Sequence, residues 1–108
     1  MTRFPKQGSI YWFDPEPSRG AELPKLRPCV IISPDEMNAN IKTVIIVPLT
    51  STIRTWDFRL KTMVAGQDSS LACDQMRAID KTRLKAQNGS LSPPDLERLF
   101  GLLQSMFS

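Results

Sequence analysis

Two short apolar runs rich in β-branched residues, at positions 29–33 and 44–49, constrain the fold of this chain most strongly. Apolar runs of this length, bounded by turn residues, are typical of strands that are buried on both faces. Pro34, Asn38 and Asn40 predict a turn-rich connection between the two strands. Since 108 residues leave room for only one hydrophobic core, we expect a single domain over residues 1–108.

Shorter segments predict further strands around these two. The predicted strands lie at residues 10–13, 58–61, 71–73 and 76–79. Trp12 is expected to face the core, and residues 66–70 are predicted as the turn that precedes residue 71. The breakers within residues 14–25 predict a long loop, and loops of this length are usually functional or mobile. Asp80 is expected to cap one helical turn through Arg83.

The C-terminal segment predicts an amphipathic helix. Ser92 is suited to the N-cap, Pro93 to the first helical position and Asp95 to the positive end of the helix dipole. Apolar residues then recur at three- and four-residue spacing, at Leu96, Leu99, Phe100, Leu103, Met106 and Phe107, with Leu102 beside them. Several short strands with one covering helix predict a compact all-β barrel.

Composition narrows the environment and the chemistry. No apolar run approaches the roughly 18 residues of a membrane span, and residues 1–7 lack the apolar stretch of a signal peptide. We therefore expect a cytoplasmic protein that does not contact a membrane. Cys29 and Cys73 are predicted to be buried free thiols, and a chain with no histidine and two cysteines argues against a zinc site. No cofactor is expected.

Basic residues are concentrated in or just after three loops of a chain whose net charge is +3. They are Arg19, Lys25 and Arg27, then Arg54, Arg59 and Lys61, and finally Lys81, Arg83 and Lys85. Loops that converge would form a positive patch suited to a phosphate backbone. The alternative is an ordinary solvated surface.

Five motifs together resemble the MazF/PemK family, the endoribonuclease half of bacterial toxin–antitoxin pairs. In chain order they are Gly8-Ser9-Ile10-Tyr11-Trp12, Asp14-Pro15 followed by Arg19-Gly20-Ala21-Glu22, Arg27-Pro28, Val47-Pro48-Leu49-Thr50-Ser51, and Cys73-Asp74-Gln75-Met76-Arg77-Ala78-Ile79-Asp80. The resemblance extends over nearly the whole chain. It implies an SH3-like barrel with a C-terminal α-helix, a homodimer, a cognate antitoxin and single-stranded RNA as substrate.

The resemblance assigns catalysis to Arg27 and Thr50. RNA is cut when its own 2′-hydroxyl attacks the adjacent phosphate, and this reaction needs donors that stabilise the charged phosphorane. An arginine is a poor base, so we expect Arg27 to act electrostatically, with Thr50 donating a hydrogen bond or relaying the 2′ proton. The alternatives are a structural ion pair of Arg27 with Glu22 or Asp74, and a purely structural Thr50 at the end of a strand.

A further set of side chains is expected to bind the substrate. Asp74 and Gln75 are expected to orient Arg27 or to hydrogen-bond a base, and Trp56 is a candidate for stacking on a base. The full predicted set is Arg19, Glu22, Ser51, Thr52, Arg54, Trp56, Asp74, Gln75 and Arg77.

The chain departs from the His-Arg-Asp catalytic set described for PemK-type members. The positions of that His and Arg correspond here to Ala21 and Ala72, and only Asp74 is retained. Two rival functions therefore stay open. One is a DNA gyrase poison of the related CcdB type, and the other is a binding module of the same fold that has lost catalysis.

Overall fold

The computed structural model of the chain describes residues 4–15 and 25–108. Within these residues the strands are β1 Ser9–Phe13, β2 Arg27–Ile31, β3 Thr43–Thr50, β4 Arg59–Val64, β5 Gln67–Ala72, β6 Arg77–Asp80 and β7 Leu84–Ser90. The helices are α1 Asp35–Asn40 and α2 Pro93–Met106, and single 3₁₀ turns occupy Cys73–Gln75 and Lys81–Arg83. This arrangement confirms the predicted mainly β fold with a C-terminal helix.

The strands form one antiparallel sheet in the order β4-β5-β3-β2-β1-β7. Strand β3 pairs with β2 along one edge, and two short strands, β5 and β6, share its other edge. Its first half pairs with β6, as Ile46 with Arg77, and its second half pairs with β5, as Thr50 with Ser70. The chain changes from β5 to β6 through the 3₁₀ turn at Cys73–Gln75, which brings both strands against the same neighbour.

Strands β2 and β3 are buried on both faces, as their continuous apolar sequences predicted. Val30 and Val47 belong to one core cluster, which also receives Leu99 and Leu103 of α2. Cys29, Ile31 and Ile46 point the other way, into a second cluster around Phe13 and Ile79. Since successive residues of a strand face opposite sides, each strand supplies both clusters.

Helix α2 starts as its sequence indicates. The Ser92 hydroxyl accepts a hydrogen bond from the Asp95 amide at 3.3 Å, and Thr62 of β4 donates its hydroxyl proton to Asp95 Oδ2 at 2.6 Å. Gly8, at φ +91°, lies under Leu96 so closely that an added Cβ would be 2.9 Å from Leu96 Cδ2. The helix therefore sits directly on the chain that enters β1.

Three elements differ from the sequence prediction. The segment after Pro34 contains the short helix α1, stabilised by the buried Asn38, whose Nδ2 donates to the carbonyl oxygens of Pro5 and Ser33. Residues 67–70 belong to β5, because the turn is limited to Ala65 and Gly66, both at positive φ. Strand β7 was not predicted, since most of its residues are exposed and it lacks an alternating pattern.

Trp12 was expected to face the core and is instead 36% exposed. Met106 and Phe107, the last members of the apolar stripe predicted for the C-terminal helix, are 38 and 72% exposed. Phe107 also falls just beyond the end of α2. The predictions of two free buried thiols and of the Asp80 cap, which accepts from the Thr82 amide, are confirmed. In the described part of the chain, neither helix is long and apolar enough to cross a membrane.

Candidate active site

The pairing of β2 with β3 brings the two predicted catalytic residues to one place. Cys29 pairs with Pro48 and Val30 with Val47. The same register, continued to the beginning of β2 and the end of β3, brings Arg27 opposite Thr50. Both side chains line two adjoining clefts, so the two residues that the resemblance assigned to catalysis share one site.

The larger cleft, with a volume of about 530 Å³, is named here the arginine cleft. Its functional side chains are Arg27, Thr50, Arg59, Gln75 and Arg77. Each comes from a different element, since β3 is flanked by β2 on one side and by the β5–β6 segment, with β4 paired to it, on the other. Arg27 and Arg77 form no ion pair with any described carboxylate. The alternative pairing of Arg27 with Glu22 lies outside the described residues.

The third guanidinium of the arginine cleft is held by a carboxylate. Arg59 Nε lies 2.7 Å from Asp74 Oδ1, and Arg59 Nη2 lies 3.1 Å from Asp74 Oδ2. This bidentate contact lowers the pKa of Asp74 and raises that of Arg59, in both cases chiefly through the side-chain hydrogen bond. Asp74 therefore orients Arg59 rather than Arg27. The other expected role of Asp74, a hydrogen bond to a base, stays a prediction.

Arg59 was not among the predicted site residues, although the register of the β4–β5 hairpin could have identified it. It pairs with Ala72 across the β4–β5 hairpin. Val64 pairs with Gln67 across the two-residue turn, so counting back along both strands from this turn leads to the Arg59–Ala72 pair. Arg59 on β4 therefore places a guanidinium group in the arginine cleft. Its strand partner Ala72 is the position at which PemK-type members carry an arginine.

An exposed aromatic side chain extends the site outward from Arg59. The Trp56 ring lies 5.2 Å from the guanidinium carbon of both Arg54 and Arg59, and its centroid is 5.3 Å from that of Phe58. Trp56 is 47% exposed even with these neighbours around it. The ring is therefore held next to the cleft and retains a surface on which a base can stack.

The smaller cleft, of about 350 Å³, is named here the hydroxyl cleft and lies on the other side of Arg27 and Thr50. Besides Arg27 and Thr50, its polar lining residues are Lys25, Ser51, Gln67 and Ser69. The Thr50 hydroxyl accepts a hydrogen bond from the Thr52 amide at 3.2 Å. Because a hydroxyl has one proton to donate and two lone pairs, this contact orients Thr50 Oγ1 while its proton stays available.

The predicted substrate-binding residues separate into groups. Gln75 and Arg77 line the arginine cleft, Ser51 lines the hydroxyl cleft, and Asp74, Arg54 and Trp56 reach the site through Arg59. Within the described part of the chain, Thr52 contacts the site through its backbone amide. Arg19 and Glu22 lie outside the described residues. Lys25, Gln67 and Ser69 were not predicted, and no group of three or more possible metal ligands occurs in the described residues.

Known proteins resemble this chain over almost its full length. Residues 6–107 match the family model of the PemK-like, MazF-like toxins of type II toxin–antitoxin systems. The endoribonuclease toxin MazF of Escherichia coli K12 is 27% identical over 94 residues, which are 86% of this chain and 85% of the relative.

Solved structures share the fold. MazF from Deinococcus radiodurans superposes with a TM-score of 0.80 at 23% identity, covering 97% of both chains. An endoribonuclease in complex with its cognate antitoxin, from a mycobacterial species, gives a TM-score of 0.80 at 21% identity, covering 95% of this chain and 94% of the other. The family match extends over both clefts and every described strand. The chain therefore belongs to the family of PemK-like, MazF-like toxins of type II toxin–antitoxin systems.

Proposed function

We propose that this toxin is an endoribonuclease that cuts single-stranded RNA, mRNA above all, at a short sequence and without a metal cofactor. The observation that carries the proposal is the shared cleft of Arg27 and Thr50, with Arg59 and Arg77 beside them. Guanidinium groups match phosphate oxygens in charge and geometry. The endoribonuclease activity named for the Escherichia coli relative supports the same assignment.

The reaction transfers the phosphate between oxygens of the RNA itself. The 2′-oxygen forms a bond to phosphorus, the bond from phosphorus to the 5′-oxygen breaks, and the products are a 2′,3′-cyclic phosphate and a 5′-hydroxyl end. The 2′-hydroxyl proton leaves as the phosphorane forms, and a proton is delivered to the departing 5′-oxygen. Arg27 donates hydrogen bonds to the non-bridging oxygens, where negative charge increases in the transition state. Thr50 donates to the same phosphate or relays the 2′ proton.

Asp74 does not serve as the base in this scheme. Its carboxylate accepts two hydrogen bonds from Arg59, and its lowered pKa makes it a weaker proton acceptor than an ordinary aspartate. It acts as a positioning residue that keeps Arg59 and, through it, Trp56 at the edge of the arginine cleft. Gln75 is placed to hydrogen-bond a base, and Arg77 to bind a second phosphate.

The proposed biological setting is a single-domain toxin in the cytoplasm, active as a homodimer and neutralised by a cognate antitoxin. The solved complex of a mycobacterial endoribonuclease with its antitoxin supports the antitoxin assignment. Arg19 and Glu22 remain proposed substrate contacts on the strength of the resemblance alone.

The two rival functions receive less support. The matched family and the relatives named above offer nothing in favour of a gyrase poison. A binding module without catalysis was suggested by Ala21 and Ala72. The arginine cleft weakens that suggestion, because Arg59 supplies a guanidinium from the strand paired with Ala72.

The decisive experiment incubates the purified, antitoxin-free protein with a long RNA in EDTA and maps the ends at nucleotide resolution. We expect cuts at a recurring short sequence. Arg27→Ala should abolish them, and Arg27→Lys, which keeps the charge but not the planar fork, should lower the rate by about 10²–10³.

Arg98→Lys is the matched control, because Arg98 lies on α2 and pairs with Asp95 away from both clefts. It should cut at the wild-type rate. Intact RNA together with trapped gyrase–DNA complexes would favour the poison. RNA that is retained but not cut would favour the binding module.

A further inference from the structure

A third cleft, of about 590 Å³, lies along β1 and the segment that leads into β7. It is named here the lysine cleft and includes the side chains of Phe4, Lys6, Tyr11, Lys81, Lys85 and Gln87. Three of these carry a positive charge, and no carboxylate is among the described residues that line the cleft. None of the three lysines belongs to the arginine or hydroxyl cleft.

Two of the lysines are available for an anionic ligand. Lys6 lies 3.8 Å from Asp35 in an exposed ion pair and 4.7 Å from the centre of the Phe4 ring. Lys81 and Lys85 form no ion pair with any described carboxylate, and the Lys85 ammonium group makes only a long contact of 3.4 Å with the Thr82 carbonyl oxygen. An uncompensated pair of ammonium groups in a concave surface attracts polyanions.

The lysine cleft is next to the arginine cleft. Phe13 of β1 lines the arginine cleft, and its register partner Leu84 of β7 lines the lysine cleft. Paired residues of antiparallel strands have Cα atoms only about 5 Å apart. The chain between the clefts is fixed, because Arg83 donates hydrogen bonds to the carbonyl oxygens of Asp14 and Pro15 and Asp14 donates its amide to the Arg83 carbonyl.

We propose that the lysine cleft binds the backbone of the same RNA strand beyond the cut site, with Lys81 and Lys85 contacting phosphates. This inference rests on the proposed function, because the substrate must pass through the arginine cleft. Continuity with that cleft favours RNA over a separate acidic protein segment. The ring of Tyr11, which is only partly buried, adds a surface that suits an unpaired base.

The test measures binding in a form that does not depend on cleavage. RNA made entirely of 2′-O-methyl nucleotides lacks the attacking hydroxyl, so the wild-type protein binds it without cutting. Affinity is measured across a salt series for a short oligonucleotide that fills only the arginine cleft and for one extended at both ends. For the long RNA, the double variant Lys81→Ala, Lys85→Ala should lower the slope of log K against log salt by about 1.4, or about 0.7 for each phosphate that is no longer bound.

The short oligonucleotide should bind both proteins equally. The control is the double variant Lys42→Ala, Lys61→Ala, which removes the same charge from exposed lysines outside all three clefts. Circular dichroism checks that each variant is folded, and Lys85→Ala alone, at an exposed position, should give about half the change in slope.

Equal slopes for the two double variants on the long RNA would overturn the proposal and point to general charge attraction or to an acidic protein ligand. An unchanged slope for Lys81→Ala, Lys85→Ala would overturn it as well. Failure of the proposed function is recognised separately, because wild-type protein would then leave unmodified RNA intact in EDTA.

Discussion

At the scale of single residues, the site depends on which arginine side chains are paired with a carboxylate. Asp74 neutralises Arg59 through two hydrogen bonds, whereas Arg27 and Arg77 form no ion pair in the described part of the chain. Arg59 is therefore fixed in place, with 9% of its side chain exposed. The sequence predicted Arg27 and Thr50 as neighbours in one site, and both line the arginine cleft. Asp74 was expected to orient Arg27 or to hydrogen-bond a base, and it binds Arg59 instead of Arg27. Local sequence does not reveal which arginine a carboxylate contacts, because that contact forms between separate elements.

Asp74→Asn should separate positioning from acid–base chemistry. Asparagine keeps one oxygen acceptor but loses the charge and the bidentate geometry, so we expect kcat/KM for RNA cleavage to fall about tenfold. Asp68→Asn is the matched control, since Asp68 pairs with the exposed Lys61 on the same hairpin and lines neither the arginine nor the hydroxyl cleft. That variant should retain the wild-type kcat/KM.

The pH profile gives the second readout of the Asp74 experiment. The pKa of Asp74 is lowered in the folded protein, so its ionised form and the ion pair with Arg59 are fully present above the ordinary value of about 4. The ion pair breaks only as the pH falls below that value. Between about pH 5 and 9 the profiles of the wild type and of Asp74→Asn should therefore be parallel. If the wild-type profile had a limb in this pH range that was missing from the Asp74→Asn profile, Asp74 would be the base instead.

At the scale of elements, the docking of α2 depends on a close approach at Gly8. This residue combines φ +91° with a position under Leu96, so alanine would suffer both backbone strain and steric overlap. We expect Gly8→Ala to lower the free energy of unfolding by at least about 1–2 kcal/mol, as measured by urea denaturation. The m-value should not change, since the same surface is exposed on unfolding.

Gly101→Ala, within helix α2, should have the opposite effect on stability. Gly101 is exposed and has no positive φ, and no atom lies within 4 Å of an added Cβ apart from its chain neighbours and the backbone of its own helix. Alanine there should raise the free energy of unfolding by about 0.5–1 kcal/mol, because glycine loses more backbone entropy in a helix. A loss of stability from Gly8→Ala no larger than a few tenths of a kcal/mol would contradict the close approach between Gly8 and Leu96.

Strands and helices were predicted correctly where their burial leaves an apolar pattern in the sequence, and they were missed where it does not. Strands β2 and β3 are apolar on both faces, and α2 has a recognisable cap and an apolar stripe, so all three were found. Strand β7 lies on the edge of the sheet and is largely exposed, so nothing in its sequence alternates. Helix α1 has only six residues and is stabilised by the buried Asn38, a tertiary interaction that local sequence does not reveal.

At the scale of the whole molecule, the two thiols report on the two core clusters separately. Cys29 is buried in the cluster around Phe13, and Cys73 in the cluster beneath α2. Burial raises the pKa of the Cys29 thiol to about 12 and that of the Cys73 thiol to about 11. Both thiols therefore stay neutral at pH 8 in the folded protein and are poor nucleophiles there.

Labelling with a thiol reagent such as DTNB should thus require the molecule to open. Since both clusters are built from alternate residues of the same two strands, β2 and β3, we expect them to open together in one cooperative transition. Peptide mapping after labelling at pH 8 should give the same rate for Cys29 and Cys73, and urea should accelerate both by the same factor. Faster labelling of Cys73 alone would mean that α2 detaches while the cluster around Phe13 stays closed, and the chain would not then unfold as one unit.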